Sequence, residues 1–191
     1  MKQVSDKETM TILQLAEDCL SSEGDFVELG CFEGDTSLLL AEVLKNNNSK
    51  KRLWIYDSFE GLPEKTENDF SELGRDFKKG ELFTTKRFVK QRFLRANLPV
   101  PRIKKAWFSE LKNDDLPEKI AFAFLDGDLY DSIRDSLNLV FPKLNENGKI
   151  VVHDYNNPQL PGVSKAVDEF LEKSDWNLKT TLSLAILSKR S

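Results

Sequence analysis

Glu28-Leu29-Gly30-Cys31-Phe32-Glu33-Gly34 is the stretch that decides how this chain folds. The residues before it, 25–29, read as a short strand, and residues 36–44, rich in leucine and alanine, read as a helix. A strand, a glycine-bearing loop and a helix in that order open an α/β fold with a mostly parallel sheet. The two glycines stand four positions apart, so the G-x-G-x-x-G spacing of dinucleotide folds is missing, and no Gly-Lys-Ser/Thr phosphate loop occurs. Taken alone, the loop supports a nucleotide-binding α/β protein and nothing narrower.

Working outward, the alternation continues on both sides. Residues 7–21 carry Met10, Ile12, Leu13, Leu15, Ala16 and Leu20 at amphipathic helical spacing. Strands are expected at 52–56, 103–108, 120–125 and 149–152, and helices at 132–144 and 163–171. Residues 176–187 read as a closing antiparallel hairpin. The expected fold is one Rossmann-like, doubly wound domain over residues 1–191, in three layers. The irregular part lies between the second and third strands. Its first half, 61–80, is polar and acidic, and its second half, 84–97, reads as a basic helix. An insert of this length, about 61–101, is read either as a lid over the cofactor or as a dimerisation element or mobile loop.

Composition narrows the function classes. A chain of 191 residues with 39% hydrophobic and 31% charged residues is an ordinary globular protein. No apolar run approaches the roughly 18 residues of a membrane span, and no apolar core of a signal peptide follows the N-terminus, so a cytoplasmic protein without a membrane partner is expected. A net charge of -4 argues against nucleic acid as a partner. Residues 82–108 nevertheless hold eight Lys or Arg and no acid. Lys86, Arg87, Lys90, Arg92 and Arg95 are read either as attracting an anionic acceptor or as a solvated face whose packed side is Phe88, Phe93 and Leu94. Cys19 and Cys31 are too few for a disulfide framework or a Cys-rich zinc site. With His153 as the single histidine, three-His zinc, HExxH and two-His iron sites are excluded, and no G-x-S-x-G serine elbow is present.

Ligands of open parallel sheets bind at the carboxyl ends of the strands. The polar residues at those ends are Glu28, Asp57, Asp126, His153 and Asp154: four acids and the one histidine. An acidic set disfavours a pyrophosphate and suits S-adenosylmethionine, which carries a sulfonium, an ammonium and a ribose diol. Glu28 is expected to face the ammonium and Asp57 to accept from the ribose hydroxyls, while Gly30 and Gly34 let the backbone approach. Phe32, Thr36, Ser58 and Asp126 complete the expected cofactor set.

The loop at residues 28–34 resembles the first motif of class I S-adenosylmethionine-dependent methyltransferases. Tyr56-Asp57-Ser58-Phe59-Glu60-Gly61-Leu62-Pro63, Leu125-Asp126-Gly127-Asp128-Leu129-Tyr130-Asp131-Ser132 and Val151-Val152-His153-Asp154-Tyr155 are similar to the macrocin O-methyltransferase family. The resemblance covers residues 24–173. It implies methylation of a sugar hydroxyl on a small-molecule acceptor, with a divalent metal that is typically magnesium. It places the metal ligands at Asp126, His153 and Asp154 and makes Asp126 a candidate general base. The family more often has two aspartates where this chain has His153-Asp154. Magnesium prefers oxygen ligands, so an Asp/His/Asp set suits manganese or another transition metal instead. Alternatively no metal binds and His153 is the base. Family members carry a longer N-terminal region, so the acceptor pocket here is expected to be more open or to be completed by a partner in a homodimer. The competing readings are a methyltransferase for a nitrogen or catechol acceptor, a non-catalytic cofactor-binding module, and a nicotinamide oxidoreductase that the glycine spacing disfavours.

Overall fold

All six residues of β4 (Ile120–Leu125) are buried, so this strand must lie between two covering layers. The computed structural model describes residues 3–73 and 77–190 and gives β4 that place. β1 (Asp25–Leu29) runs parallel to β4 on one side and to β2 (Leu53–Asp57) on the other, and β3 (Arg102–Lys105) lies outside β2. Beyond β4 come β5 (Leu144–Val152), then β7 (Leu184–Lys189), antiparallel to β5, and β6 (Trp176–Thr181) at the edge. The order β3-β2-β1-β4-β5-β7-β6 matches the expected doubly wound sheet with a closing hairpin, whose second strand inserts inside its first.

Alternation along the strands separates two cores. Phe122 and Phe124 point with Phe26 and Ile55 toward α1 (Asp6–Asp18), α2 (Asp35–Asn46) and α3 (Lys86–Arg95), meeting Ile12, Leu40 and Phe93. Leu125, Leu29 and Val152 point toward α4 (Tyr130–Val140) and α5 (Pro161–Glu172), meeting Ile133, Leu137, Val163 and Val167. Each such side chain contributes roughly 1.5–3 kcal/mol when fully buried.

The strands end level with one another. Leu29 pairs with Tyr56 and Leu125, and Leu125 pairs with Val152. The ladder runs one step further, with Gly30 N donating to Tyr56 O at 2.9 Å, Asp126 N to Leu29 O at 2.9 Å and His153 N to Leu125 O at 3.0 Å. Gly30, Asp126 and His153 therefore stand in one row, flanked by Asp57 at the end of β2.

Several boundaries differ from the pattern-based expectation, each for a local reason. β3 stops at Lys105 rather than 108, and Trp107 and Phe108 leave the sheet for a 3₁₀ turn over Phe108–Glu110. α4 starts at Tyr130, two residues early, because the buried Asp69 carboxylate accepts from Tyr130 N at 2.7 Å and caps the helix from the insert. It ends at Val140, where Pro142 forces a 3₁₀ turn over Phe141–Lys143, and β5 then begins at Leu144. The basic helix is trimmed to Lys86–Arg95, with Thr85 Oγ1 accepting from Phe88 N at 3.1 Å as its N-cap.

The insert is fastened at both halves, although residues 74–76 lie outside the described residues. Its first half is held by Asp69 and by Ser71 Oγ donating to Pro158 O at 2.7 Å. Its second half buries Val89 and Phe93 and hands Arg92 to the Glu33 carbonyl at 2.8 Å. Among the described residues, no helix is long and apolar enough to cross a membrane.

Candidate active site

The chain winds outward from β1 to β3 and then returns to β4, so the switch in strand order falls between β1 and β4. A cleft opens there, as expected for such a sheet. Its larger part is walled by Asp57, Ser58, Leu62, Trp107, Phe108, Asp126, Asp128, His153 and Asp154. A smaller part runs past Glu28, Cys31, Thr9 and Thr36. Gln3, Gly30, Phe32 and Asp126 line both, so the two parts meet at Asp126.

The loop after β1 is shaped by close approach. Gly30 has φ +89°, and a Cβ there would stand 2.0 Å from the Asp126 carbonyl oxygen. Only glycine allows β1 and β4 to deliver their ends side by side. Gly34, also left-handed at φ +83°, is the N-cap of α2 and offers it no side-chain cap. Phe32, Asp128 and Asp154 have φ of 44°, 60° and 61°. Such conformations cost about 1–3 kcal/mol each and gather where a site demands them.

Asp57 works on this loop directly. Its Oδ2 accepts from Cys31 N at 2.9 Å and Phe32 N at 3.1 Å, and its Oδ1 accepts from Phe59 N at 2.7 Å. The expected ribose ligand is therefore first a clasp, with little acceptor capacity left. Ser58 is similarly engaged, donating to Gly61 O at 3.2 Å and accepting from Glu60 N at 3.1 Å. Glu28 is buried beneath the loop, where Ser37 Oγ donates to it. Burial, helped by the charges of Asp126 and Asp57 and resisted by the Ser37 bond, pushes its carboxyl up to about 8.

Across the cleft the polar groups face each other. His153 Nδ1 lies 2.9 Å from Asp126 Oδ1 and 3.1 Å from Asp154 Oδ2, and Nε2 lies 3.8 Å from Glu8 Oε2. The ring is only 5% exposed. Burial works to lower its pKa, but the Asp126 and Asp154 carboxylates outweigh that and lift it to about 11. Asp154 Oδ1 also accepts from Asn157 Nδ2 at 2.9 Å. Burial near the carboxylates of Asp126 and Asp154 pushes Asp128 well above the usual range. Asp126, His153 and Asp154 are, among the described residues, the one set of potential metal ligands gathered within 4.8 Å.

All the strand-end residues read from the sequence thus line one cleft, with Phe32 and Thr36 beside them. Sequence reasoning missed Asp128, Trp107, Phe108 and Glu8. The first sits inside the quoted motif at 125–132, and the next two follow a strand end that was placed three residues late. Glu8 carries a signal only as half of a Ser5–Glu8 capping box, with Ser5 N donating to Glu8 Oε2 at 3.0 Å. In the structure Ser183 N and Oγ also donate to it. Burial would raise its carboxyl, but the bonds from Ser183 and Ser5 outweigh that and bring it down to about 2.

A sequence model of the family described as macrocin-O-methyltransferase (TylF) matches residues 7–183. The demethyldecarbamoylnovobiocin O-methyltransferase of Streptomyces niveus is 28% identical over 177 residues, covering 88% of this chain and 67% of that protein. The 8-demethyl-8-(2,3-dimethoxy-alpha-L-rhamnosyl)-tetracenomycin-C 4'-O-methyltransferase of Streptomyces olivaceus is 31% identical over 139 residues, covering 69% of this chain and 53% of that protein. The solved structure of the O-methyltransferase NovP superposes with a TM-score of 0.83 at 25% identity, covering 97% of this chain and 80% of that one.

Proposed function

The chain belongs to the macrocin O-methyltransferase family, and from that premise we propose that it methylates a hydroxyl of a small, sugar-containing acceptor, using S-adenosylmethionine. The observation that carries this reading is the meeting of the two parts of the cleft at Asp126. One part is a groove floored by Gly30 and Glu28, the other a chamber lined with carboxylates, and Asp126 belongs to both. The rhamnosyl group in the name of the Streptomyces olivaceus relative supports a sugar as the acceptor.

S-adenosylmethionine, when bound, supplies a methyl group on a positively charged sulfur. In this reading the Gly30 backbone and the clasped loop receive it closely, and Trp107 and Phe108 offer aromatic walls to its base. Glu28, whose carboxyl burial pushes up to about 8, lines the groove where an ammonium would favour its charged form. Asp126 orients the acceptor hydroxyl and takes its proton as the new carbon–oxygen bond forms, a role that contributes about 10²–10⁴-fold. Asp154 holds the acceptor from the β5 side. His153 does not act as the base here, because its Nδ1 proton is shared with two carboxylates.

A divalent ion, which the family resemblance implies, would be held by Asp126, His153 and Asp154. The set does not fit magnesium, which takes oxygen ligands, because one of its three members is a nitrogen, His153 Nδ1, already engaged with the Asp126 carboxylate. No step of the reading runs through a metal. In this reading the fastened insert, which brings Leu62 and Leu82 to the chamber wall, would act as its lid, and the exposed cations of α3 would draw an anionic acceptor.

The test is transfer of a labelled methyl group from S-adenosylmethionine to a panel of rhamnosides and other glycosides. Label appearing on a sugar oxygen supports the reading. Transfer only to nitrogen or catechol acceptors would overturn it.

A further inference from the structure

His153 occupies a position to which family resemblance assigns a metal ligand, yet its surroundings are those of a hydrogen-bond donor. The nitrogen that would have to coordinate is Nδ1, and it bonds to Asp126 Oδ1 at 2.9 Å with Asp154 Oδ2 at 3.1 Å. Ionised carboxylates only accept, so a ring nitrogen placed against two of them is the donor, and an ion could take its lone pair only by displacing that proton. Contacts surround the ring on its other sides. Its own backbone is tied to Leu125 O, Phe124 packs against it with centroids 6.3 Å apart, and its far edge faces the carboxylate of Glu8. Glu8 is itself anchored to Ser5 and to Ser183 in the β6–β7 turn. Both edges of the imidazole therefore look at carboxylates.

Two carboxylates at one strand-end site repel unless something positive or proton-donating stands between them. A divalent ion does this from outside the chain. We propose that the Nδ1–H of His153 does it from within, bridging Asp126 and Asp154 so that the site is complete without an ion. This deepens the methyl-transfer reading above and rests on it. The bridge holds the Asp126 carboxylate in one orientation toward the cleft, and Asn157 fixes Asp154 in the same way.

The experiment uses manganese alone as the probe. Mn²⁺ is titrated into wild-type chain and into His153→Asp, followed by electron paramagnetic resonance. The wild type is expected to show no stoichiometric site. His153→Asp, which supplies the missing oxygen ligand, is expected to bind at least roughly tenfold tighter, the scale of change that alterations around a metal produce. Wild-type binding as tight as the variant's overturns the proposal. A second measurement needs no variant: affinity for S-adenosylhomocysteine, by calorimetry, in chelator and in Mn²⁺. Equal affinity supports the proposal, and affinity lost in chelator and restored by Mn²⁺ overturns it. No binding of S-adenosylhomocysteine under either condition instead defeats the methyl-transfer reading itself.

Discussion

On the β1–β2 side of the cleft, Asp57 gives its oxygens to the backbone N–H groups of Cys31, Phe32 and Phe59, whereas on the β4–β5 side Asp126 and Asp154 turn theirs to a side chain, His153. Both sides began as acids at strand ends, indistinguishable by type. The first acid spends three accepted bonds on holding a loop in shape, and burial raises the pKa of its neighbour Glu28. On the second side the carboxylates line the cleft, with side chains 19% and 13% exposed for Asp126 and Asp154. In the proposed reading, the β1–β2 side is the scaffold for the cofactor and the β4–β5 side is where the acceptor would be activated.

The sharpest way to break that division is Asp126→Asn. Methyl transfer is expected to fall about 10²–10⁴-fold, with the affinity for S-adenosylhomocysteine changing far less. Rate measurements alongside calorimetry check this, and an intact rate with lost affinity would move Asp126 to the scaffold side.

Glu28 tests the scaffold side through pH. Its folded value of about 8 lies above its ordinary 4.5, so the folded chain holds the proton more tightly than the unfolded one. The stability this group contributes is fully present below about pH 4.5 and is lost as pH rises through 8. At about 1.4 kcal/mol per pKa unit the loss amounts to a few kcal/mol. Urea unfolding between pH 5 and pH 9 (about the span over which the proton leaves) reads it, and Glu28→Gln should flatten the profile. A flat wild-type profile would mean that the carboxyl is already ionised.

Asp57→Asn should cost about 1–3 kcal/mol of stability, because three N–H groups face the two carboxylate oxygens and an amide would turn its NH₂ toward at least one of them. Cofactor affinity should fall in parallel, whereas Asp154→Asn should spare it. The smallest effect is expected away from both sides. Arg190→Ala removes an exposed ion pair to Asp175, worth at most about 1 kcal/mol, and should leave cofactor affinity unchanged.

Much of this arrangement was legible before the structure. The unbroken apolar run at 120–125 dictates a strand covered on both faces, and the strand-end rule brought Glu28, Asp57, Asp126, His153 and Asp154 to one place. Two kinds of information were not local. The end of β3 depends on its pairing with β2, which stops at Lys105, so Trp107 and Phe108 were hidden inside a strand that pattern alone could not terminate. The start of α4 depends on Asp69, 61 positions away in the chain. The division of labour among the acids was equally invisible. Nothing at Asp57 reveals that its partners are the amides of Cys31 and Phe32, 26 and 25 residues earlier. Glu8 reaches Ser183 across 175 positions, a contact made only when β7 inserts beside β5.

The most direct test of the central claim is calorimetric titration of the wild-type chain with S-adenosylhomocysteine and, separately, with NAD. The account predicts one S-adenosylhomocysteine bound per chain and no heat from NAD, because the cleft is lined by carboxylates and lacks the glycine spacing that cradles a pyrophosphate. Binding of NAD without S-adenosylhomocysteine would contradict it.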